Sequence, residues 1–400
     1  MKKKLLLIVL VSTYCTVITQ SQAFKLGIEN ITKRDCKLLK AGLVGLITNQ
    51  TGLSQNGMAS VNILRDIGVQ VACLFAPEHG IGGIVAAGKD VVSDTQATMP
   101  CFSLYGAGAQ ERFANAMQDL HAVCYDIQDC GMRYFTYIST LFRTMEYMRK
   151  SNKKFIVFDR PNPLGGAMEG PLVDDELRSF ISIAPIPLRH GMTVGELAKY
   201  FNTEFFGNEV DLHVVRMKNY RRNEPVLLPT FLSPNVQTVN ACKGYSFLGL
   251  LGEVRPFDVC VGSECAFQCI MLPKSIKVSD DFWHILRDNL ADYGVHSELF
   301  ERFSHRKKKS MVGLKIVHHT GKQHNAFPAF LTTIHALHGQ GVPVTFSPSF
   351  DKAAGAAWVR NDLVKKVAVK KIVEKARKHA QLFHAKAKSI FLYKPFPQVV

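Results

Sequence analysis

Short apolar runs alternate with helical patterning through the first half of the chain. A continuous apolar run covers 43–48, and mainly apolar runs cover 69–75, 122–127, 155–158 and 212–215. A strand that is apolar at every position is one buried on both faces. Between these runs, apolar residues recur every three or four positions: over 31–39, at Val61, Leu64 and Ile67 before Gly68, and over 111–120 and 140–149. A further helix is expected from Thr193, an N-cap candidate with Glu196 at the capping-box position. Strands alternating with such helices predict βαβ units and a mostly parallel sheet, an α/β fold.

Right-handed crossovers place the carboxyl ends of all parallel strands on one edge. That edge would gather Asn49, Glu78, His79, Asp126, Asp129, Arg133, Asp159, Arg160 and Asn162, each just past an apolar run. An open α/β sheet binds its ligands along this edge. The most suggestive stretch is Pro77-Glu78-His79-Gly80, where the apolar run 69–75 stops at a proline that cannot donate to a ladder.

Beyond about residue 245 the texture changes. A glycine- and leucine-rich stretch covers 244–252, a loop 275–279, and short helices are expected over 282–290 and 299–303. The basic run at 306–309 reads as a solvated loop. Helices are expected over 330–338 and 363–387, the latter with Val367, Ile372 and Leu382 as apolar anchors. The division expected is 1–23 as a signal segment, 24–245 as the sheet domain, and 246–400 as a smaller α+β domain closing over the sheet edge.

Composition adds three points. With 400 residues, 47% of them hydrophobic, the chain can bury the cores of two domains. Its formal charge of +16 favours anionic surroundings, whether nucleic acid, a membrane surface or an acidic wall polymer. Lys2, Lys3 and Lys4 precede an apolar run from Leu5, and Ser21-Gln22-Ala23 supplies small residues for cleavage. That is the pattern of a secretory signal peptide, so the protein is expected to be exported, periplasmic or secreted, with no stable membrane insertion after cleavage. Of ten cysteines, Cys15 falls in this segment, and the odd remainder does not form a disulfide framework. Cys73 and Cys124 read as core residues, and Cys260, Cys265 and Cys269 lack a fourth partner for zinc.

The chain has no GxGxxG after its first strand, no P-loop, no GxSxG and no HExxH. No cofactor and no resident metal are expected, and no nucleic-acid partner. The pairs His318-His319 and His335…His338 have no companion acids. Carboxylates with arginines, tyrosines and amides remain. They suit general acid–base hydrolysis of a polar polymer, glycoside hydrolysis above all. A cation held by Asp126, Asp129 and Asp159 is a further reading of the same acids.

Seven stretches, in order, resemble the motifs of the exo-β-N-acetylmuramidases, the DUF1343 family. They are Gly45-Leu46-Ile47-Thr48-Asn49-Gln50-Thr51-Gly52, Pro77-Glu78-His79-Gly80, Ser103-Leu104-Tyr105-Gly106, Asp126-Ile127-Gln128-Asp129, Arg133-Tyr134-Phe135-Thr136-Tyr137, Asp159-Arg160-Pro161-Asn162-Pro163 and His190-Gly191-Met192-Thr193. The resemblance implies a Rossmann-like domain, a smaller C-terminal domain and a site in the cleft between them. It implies release of N-acetylmuramic acid from the non-reducing ends of peptidoglycan fragments, so muramyl saccharides are the expected partners. It makes Glu78 the leading catalytic residue, with Asp126 and Asp129 as candidates for a second carboxylate. Asn49, His79, Arg133, Tyr137, Arg160, Asn162 and Arg255 become candidate substrate contacts, and Arg133 or Arg160 would suit a lactyl carboxylate. The chain departs from the family at Ile81-Gly82 and over 248–253, where a glutamate, an asparagine and an arginine are missing, although Arg255-Pro256-Phe257-Asp258 is family-like. Those departures motivate the alternative of a non-catalytic periplasmic binder of wall fragments.

Overall fold

A computed structural model describes residues 24–93, 99–226, 228, 230–317 and 324–400. The expected signal segment and the His318-His319 pair lie outside the described residues.

Six parallel strands form the main sheet: β1 (Val44–Thr48), β2 (Val71–Ala76), β3 (Cys101–Ser103), β4 (Ala122–Asp126), β5 (Lys154–Phe158) and, after a two-residue β6 (Ala167–Met168), β7 (Asp211–Val215). Their spatial order is β3-β2-β1-β4-β5-β7, the doubly wound order of a Rossmann-like sheet. The order reverses between β1 and β4, so the crevice between their carboxyl ends is the topological switch point. β3, a three-residue strand, has no apolar run of its own and is carried by its pairing with β2 from Leu74↔Cys101 to Ala76↔Ser103.

The central strands β1, β4 and β5 are buried almost throughout because both of their faces are covered. Val44, Leu46, Ala122, Cys124, Ile156 and Phe158 face one cluster, beside α1 (Lys33–Leu39) and α2 (Ser60–Asp66). Ile47, Val123, Tyr125, Phe155 and Val157 face the other, with α3 (Ala109–Ala116), α4 (Tyr137–Met148) and α5 (Val194–Phe205). The α5 cap is the one read from sequence: Thr193 Oγ1 accepts from Glu196 N, and Glu196 Oε2 accepts from Thr193 N.

The chain passes position 245 inside α6 (Val239–Leu251). After the short β8 (Val254–Arg255) come β9 (Cys269–Pro273), α7 (Phe282–Ala291), β10 (His296–Ser304) and β11 (Lys309–Val317). β10, β11 and β9 make an antiparallel three-stranded sheet in that order. The helix expected over 299–303 is part of β10. A spacing of four between Leu299 and Phe303 satisfies both a helical and an alternating period. Pairing decides it, since β10 meets β11 residue by residue from His296↔Val317 to Ser304↔Lys309. The basic run is the tip of this hairpin, and its Lys307 pairs with Asp258 at 2.8 Å.

α8 (Ala326–Gly339), β12 (Thr345–Phe346), α9 (Phe350–Ala354) and α10 (Ala357–Val364) precede α11 (Val369–Ala387). The helix expected over 363–387 is thus two. Leu382 is exposed, and the buried stripe of α11 is Ile372, Ala376, Ala380, Phe383 and Ala387. The last strand, β13 (Gln398–Val399), returns to pair with β6. All nine cysteines among the described residues are free thiols, with Cys73 and Cys124 buried. Among the described residues, no helix is long and apolar enough to cross a membrane.

Candidate active site

Glu78 follows β2 by two residues and is buried. Its Oε1 accepts from Gly88 N at 3.0 Å, and its Oε2 accepts from Thr136 Oγ1 at 2.6 Å. The Tyr105 phenol also bonds to this carboxyl, and with burial and the Glu78 charge its pKa is raised. Three donors from separate segments fix the carboxyl in one orientation, which a group handling a reacting atom requires.

The loop after β2 brings one of those donors. His79 adopts φ 72°, a conformation unusual for a bulky residue, and Gly80 follows at φ 76°. The His79 Nδ1 lies 2.7 Å from Val85 O, and Val85 N donates to His79 O at 3.1 Å. The imidazole therefore closes a turn over 79–85 and so carries Gly88 N back to Glu78. His79 is a positioning residue for the carboxylate. Its ring edge faces Tyr137, with centroids 6.4 Å apart.

Tyr137 opens α4 and is buried, which raises its phenol pKa. Its hydroxyl donates to Leu232 O at 3.0 Å, and Gln50 Nε2 donates to the same carbonyl at 3.1 Å. Asn49 Oδ1 accepts from Thr51 N at 2.9 Å and Thr51 Oγ1 at 2.6 Å, an Asx turn that ends β1. Its Nδ2 is buried without a hydrogen-bond partner among the described residues.

Asp129 lies just past β4, at the switch point. Its Oδ2 accepts from Gly131 N at 2.7 Å and faces His190 Nε2 at 3.1 Å. Met192 N donates to the other imidazole nitrogen, which assigns the proton to Nε2 and makes His190 a donor to Asp129. The Asp129 Oδ1 is buried with no partner among the described residues. Tyr245, on α6, lies near both acids: burial, then Tyr134 and Cys130, raise its phenol pKa, and the charges of Glu78 and Asp129 add to the shift.

The remaining expected residues do other work. Asp126 is fully buried and bound to Arg160, Oδ1 to Nε at 2.5 Å and Oδ2 to Nη2 at 2.7 Å. Ser60 Oγ donates to the same Oδ2. Both carboxylate oxygens are occupied, so Asp126 is not placed to be the second catalytic acid, and Arg160 is neutralised within the fold. Asp159 is equally filled, by Arg160 N, Gly195 N, Thr193 Oγ1 and Tyr393 Oη. Burial, the largest influence, raises its pKa to about 6 against those donors. Asp126 and Asp159 are thus both filled, and no metal-binding group of acids, histidines and cysteines occurs among the described residues.

Arg133 is not a substrate contact in this geometry. All five of its donor positions face protein: Nε to Ser182 Oγ, Nη1 to Pro171 O and Ile186 O, and Nη2 to Ala353 O and Ala354 O. It clamps α9 to the sheet domain. A side chain on Gly355, which has φ 81°, would strike the guanidinium. Asn162 is a turn residue, with Nδ2 donating to Met192 O and Oδ1 accepting from Leu164 N. Arg255 is exposed on β8 and donates to Gly252 O. The departure over 248–253 is the end of α6, where Gly249 leaves room for the Tyr134 ring.

The structure thus brings Glu78, His79, Asn49, Tyr137 and Asp129 to one region, and it adds Thr136, Tyr105, Gly88, Tyr245 and His190. Thr136, Tyr105 and His190 lie within motifs visible in the sequence, but nothing local assigns them a role. Gly88 and Tyr245 carry no sequence signal.

The family model for the N-terminal part of exo-beta-N-acetylmuramidase NamZ matches residues 44–240. The peptidoglycan beta-N-acetylmuramidase NamZ of Bacillus subtilis (strain 168) is 33% identical over 394 residues, covering 92% of this chain and 91% of that protein. Two crystal structures of DUF1343 family proteins from Bacteroides fragilis NCTC 9343 superpose with TM-scores of 0.80 and 0.71, at 28% and 25% identity. Each match covers 93% of this chain and 99% of the other.

Proposed function

The chain belongs to the exo-β-N-acetylmuramidase NamZ family and is a cell-wall glycosidase, and we propose that it releases N-acetylmuramic acid from the non-reducing end of peptidoglycan fragments, with Glu78 as its catalytic carboxylate. One observation carries the assignment of the residue: among the acids of the sheet edge, Glu78 is held in a fixed orientation by Thr136, Gly88 and Tyr105, with no cationic side chain bound to it among the described residues. Asp126 is bound to Arg160 and Asp159 is saturated by four donors, whereas Asp129 keeps one oxygen free of hydrogen bonds.

In the chemistry we propose, Glu78 exchanges a proton with the glycosidic oxygen or assists the attacking water, and Asp129 is the second carboxylate. His190 orients Asp129 as His79 shapes the loop around Glu78. Tyr105 and Phe180, ring centroids 5.5 Å apart, offer half-buried aromatic faces beside Glu78 on which a sugar ring can pack. The reading includes export, supported by the basic, apolar and small-residue order of residues 1–23.

The test offers two defined disaccharides, one with muramic acid and one with N-acetylglucosamine at the non-reducing end, and identifies the product. Free N-acetylmuramic acid from the first substrate alone is expected. Cleavage of only the second, or of neither, would overturn the proposal.

A further inference from the structure

Outside the candidate site, the loop between β8 and β9 gathers three of the nine described thiols. Asp258 and Met271 exchange both backbone hydrogen bonds, each at 2.9 Å, so the two segments run side by side in opposite directions. Cys260 follows Asp258 by two residues and Cys269 precedes Met271 by two, which brings both cysteines to this crossing. The two side chains hydrogen-bond to each other, and Cys265 also reaches Cys269. Cys260, Cys269, Met271 and Met311 form one small buried cluster, with Cys265 packed against it.

The two sulfurs are not equivalent. The Cys269 thiol donates to Cys260 and lowers the Cys260 pKa against burial and the nearby Asp258 carboxylate, with a smaller contribution from Arg302. The same bond and burial raise that of Cys269. Arg302, from β10, hydrogen-bonds the Cys260 sulfur. A cavity of about 220 Å³ reaches Cys260 and is lined also by Ser263, Glu264, Arg302 and His305. A thiol whose pKa is lowered by a neighbouring donor and which opens to a cavity beside a cation is the more reactive kind. The loop's backbone is left-handed at both Cys260 (φ 60°) and Phe267 (φ 54°), an uncommon conformation for such side chains. Other neighbouring thiols differ. Burial pushes Cys73 and Cys242 up to about 12 and Cys130 well above its ordinary value, so these stay protonated.

We propose that Cys260 and Cys269 are a redox-active thiol pair that a small-molecule disulfide oxidises to an intramolecular disulfide. The Cys260 thiolate attacks one sulfur of the reagent, an S–S bond forms, the reagent's own S–S bond breaks, and one thiolate leaves. Cys269 then gives its proton to that thiolate and attacks Cys260 through sulfur, expelling the second thiolate. Two protein thiols are oxidised and one disulfide is reduced to a thiol and a thiolate, with no other reactant.

The test incubates the folded full-length protein with oxidised glutathione, quenches with acid, alkylates the remaining thiols and maps the peptides by mass spectrometry. The expected product joins Cys260 to Cys269 with loss of two hydrogens. Cys269→Ser should trap glutathione on Cys260, Cys260→Ser should abolish the reaction, and Cys265→Ser should leave it intact, with circular dichroism confirming that each variant is folded. In the reduced protein, Cys260 should be alkylated at least about ten-fold faster than Cys73 at neutral pH. The proposal is overturned if the folded protein keeps all its thiols alkylatable. It is equally overturned if the disulfide joins Cys265 to Cys269, Cys73 to Cys101, or Cys130 to Cys242.

Discussion

Replacing Arg133 with methionine separates a structural clamp from a substrate contact. The side chain is fully buried and its nearest partners are four carbonyls and one hydroxyl, without a carboxylate among them. Methionine keeps much of the stem's packing but leaves the carbonyls of Pro171, Ile186 and Ala354 without their closest donor. Each buried acceptor left unsatisfied costs about 1–3 kcal/mol. Removing a buried charge that has no counter-ion returns part of that loss. The net expectation is a destabilisation of about 3–5 kcal/mol, a large share of the roughly 5–15 kcal/mol that holds a typical domain. Lysine, a single point of charge with three donors, should recover only part of it. Urea denaturation of the three proteins at pH 7 measures this directly. The clamp reading is refuted if Arg133→Met loses less than about 1 kcal/mol while KM rises ten-fold or more, which is the signature of a lost substrate contact.

Three further outcomes follow from the same geometry. Asp126→Asn breaks a buried bidentate pair with Arg160 and should cost about 3–5 kcal/mol in urea denaturation, whereas a free catalytic acid would lose activity with little change in stability. Thr136→Val removes one donor to Glu78 and should lower kcat about ten-fold or more in steady-state assays, with the thermal midpoint nearly unchanged. Asp159 has a folded-state pKa near 6 against an ordinary 3.8. Its folded form holds the proton more tightly, so the contribution is fully present below pH 4 and is lost as pH rises through 6. The loss amounts to about 3 kcal/mol, and Asp159→Asn should flatten that part of the stability–pH curve measured by urea titration.

The sheet was legible because both of its faces are buried. Each of the five apolar runs became a strand, and the parallel edge collected the acids and amides expected there. β3 escaped because three residues carry no period, and β10 was misread because Leu299 and Phe303 fit two periods at once. The candidate site was legible only in part, for a related reason. Sequence position shows which residues arrive at an edge but not where their side chains turn. Arg133 arrives there and is consumed by carbonyls such as Ala354 O, and Arg160 arrives there with its Nε and Nη2 bound to Asp126. Thr136 and Gly88 reach Glu78 from 58 and 10 residues away. Such partners are set by α4 and by the turn that His79 closes, and no local spacing encodes them.

The central claim is that Glu78 carries the chemistry. Its most direct test is the rate of N-acetylmuramic acid release by Glu78→Gln, with folding checked by circular dichroism. Glutamine keeps the shape and can still accept from Thr136, but it can neither give nor take the catalytic proton. A fall in kcat of about 10²–10⁴-fold in a folded protein is expected. A variant that stays within a few-fold of the wild-type rate would contradict it.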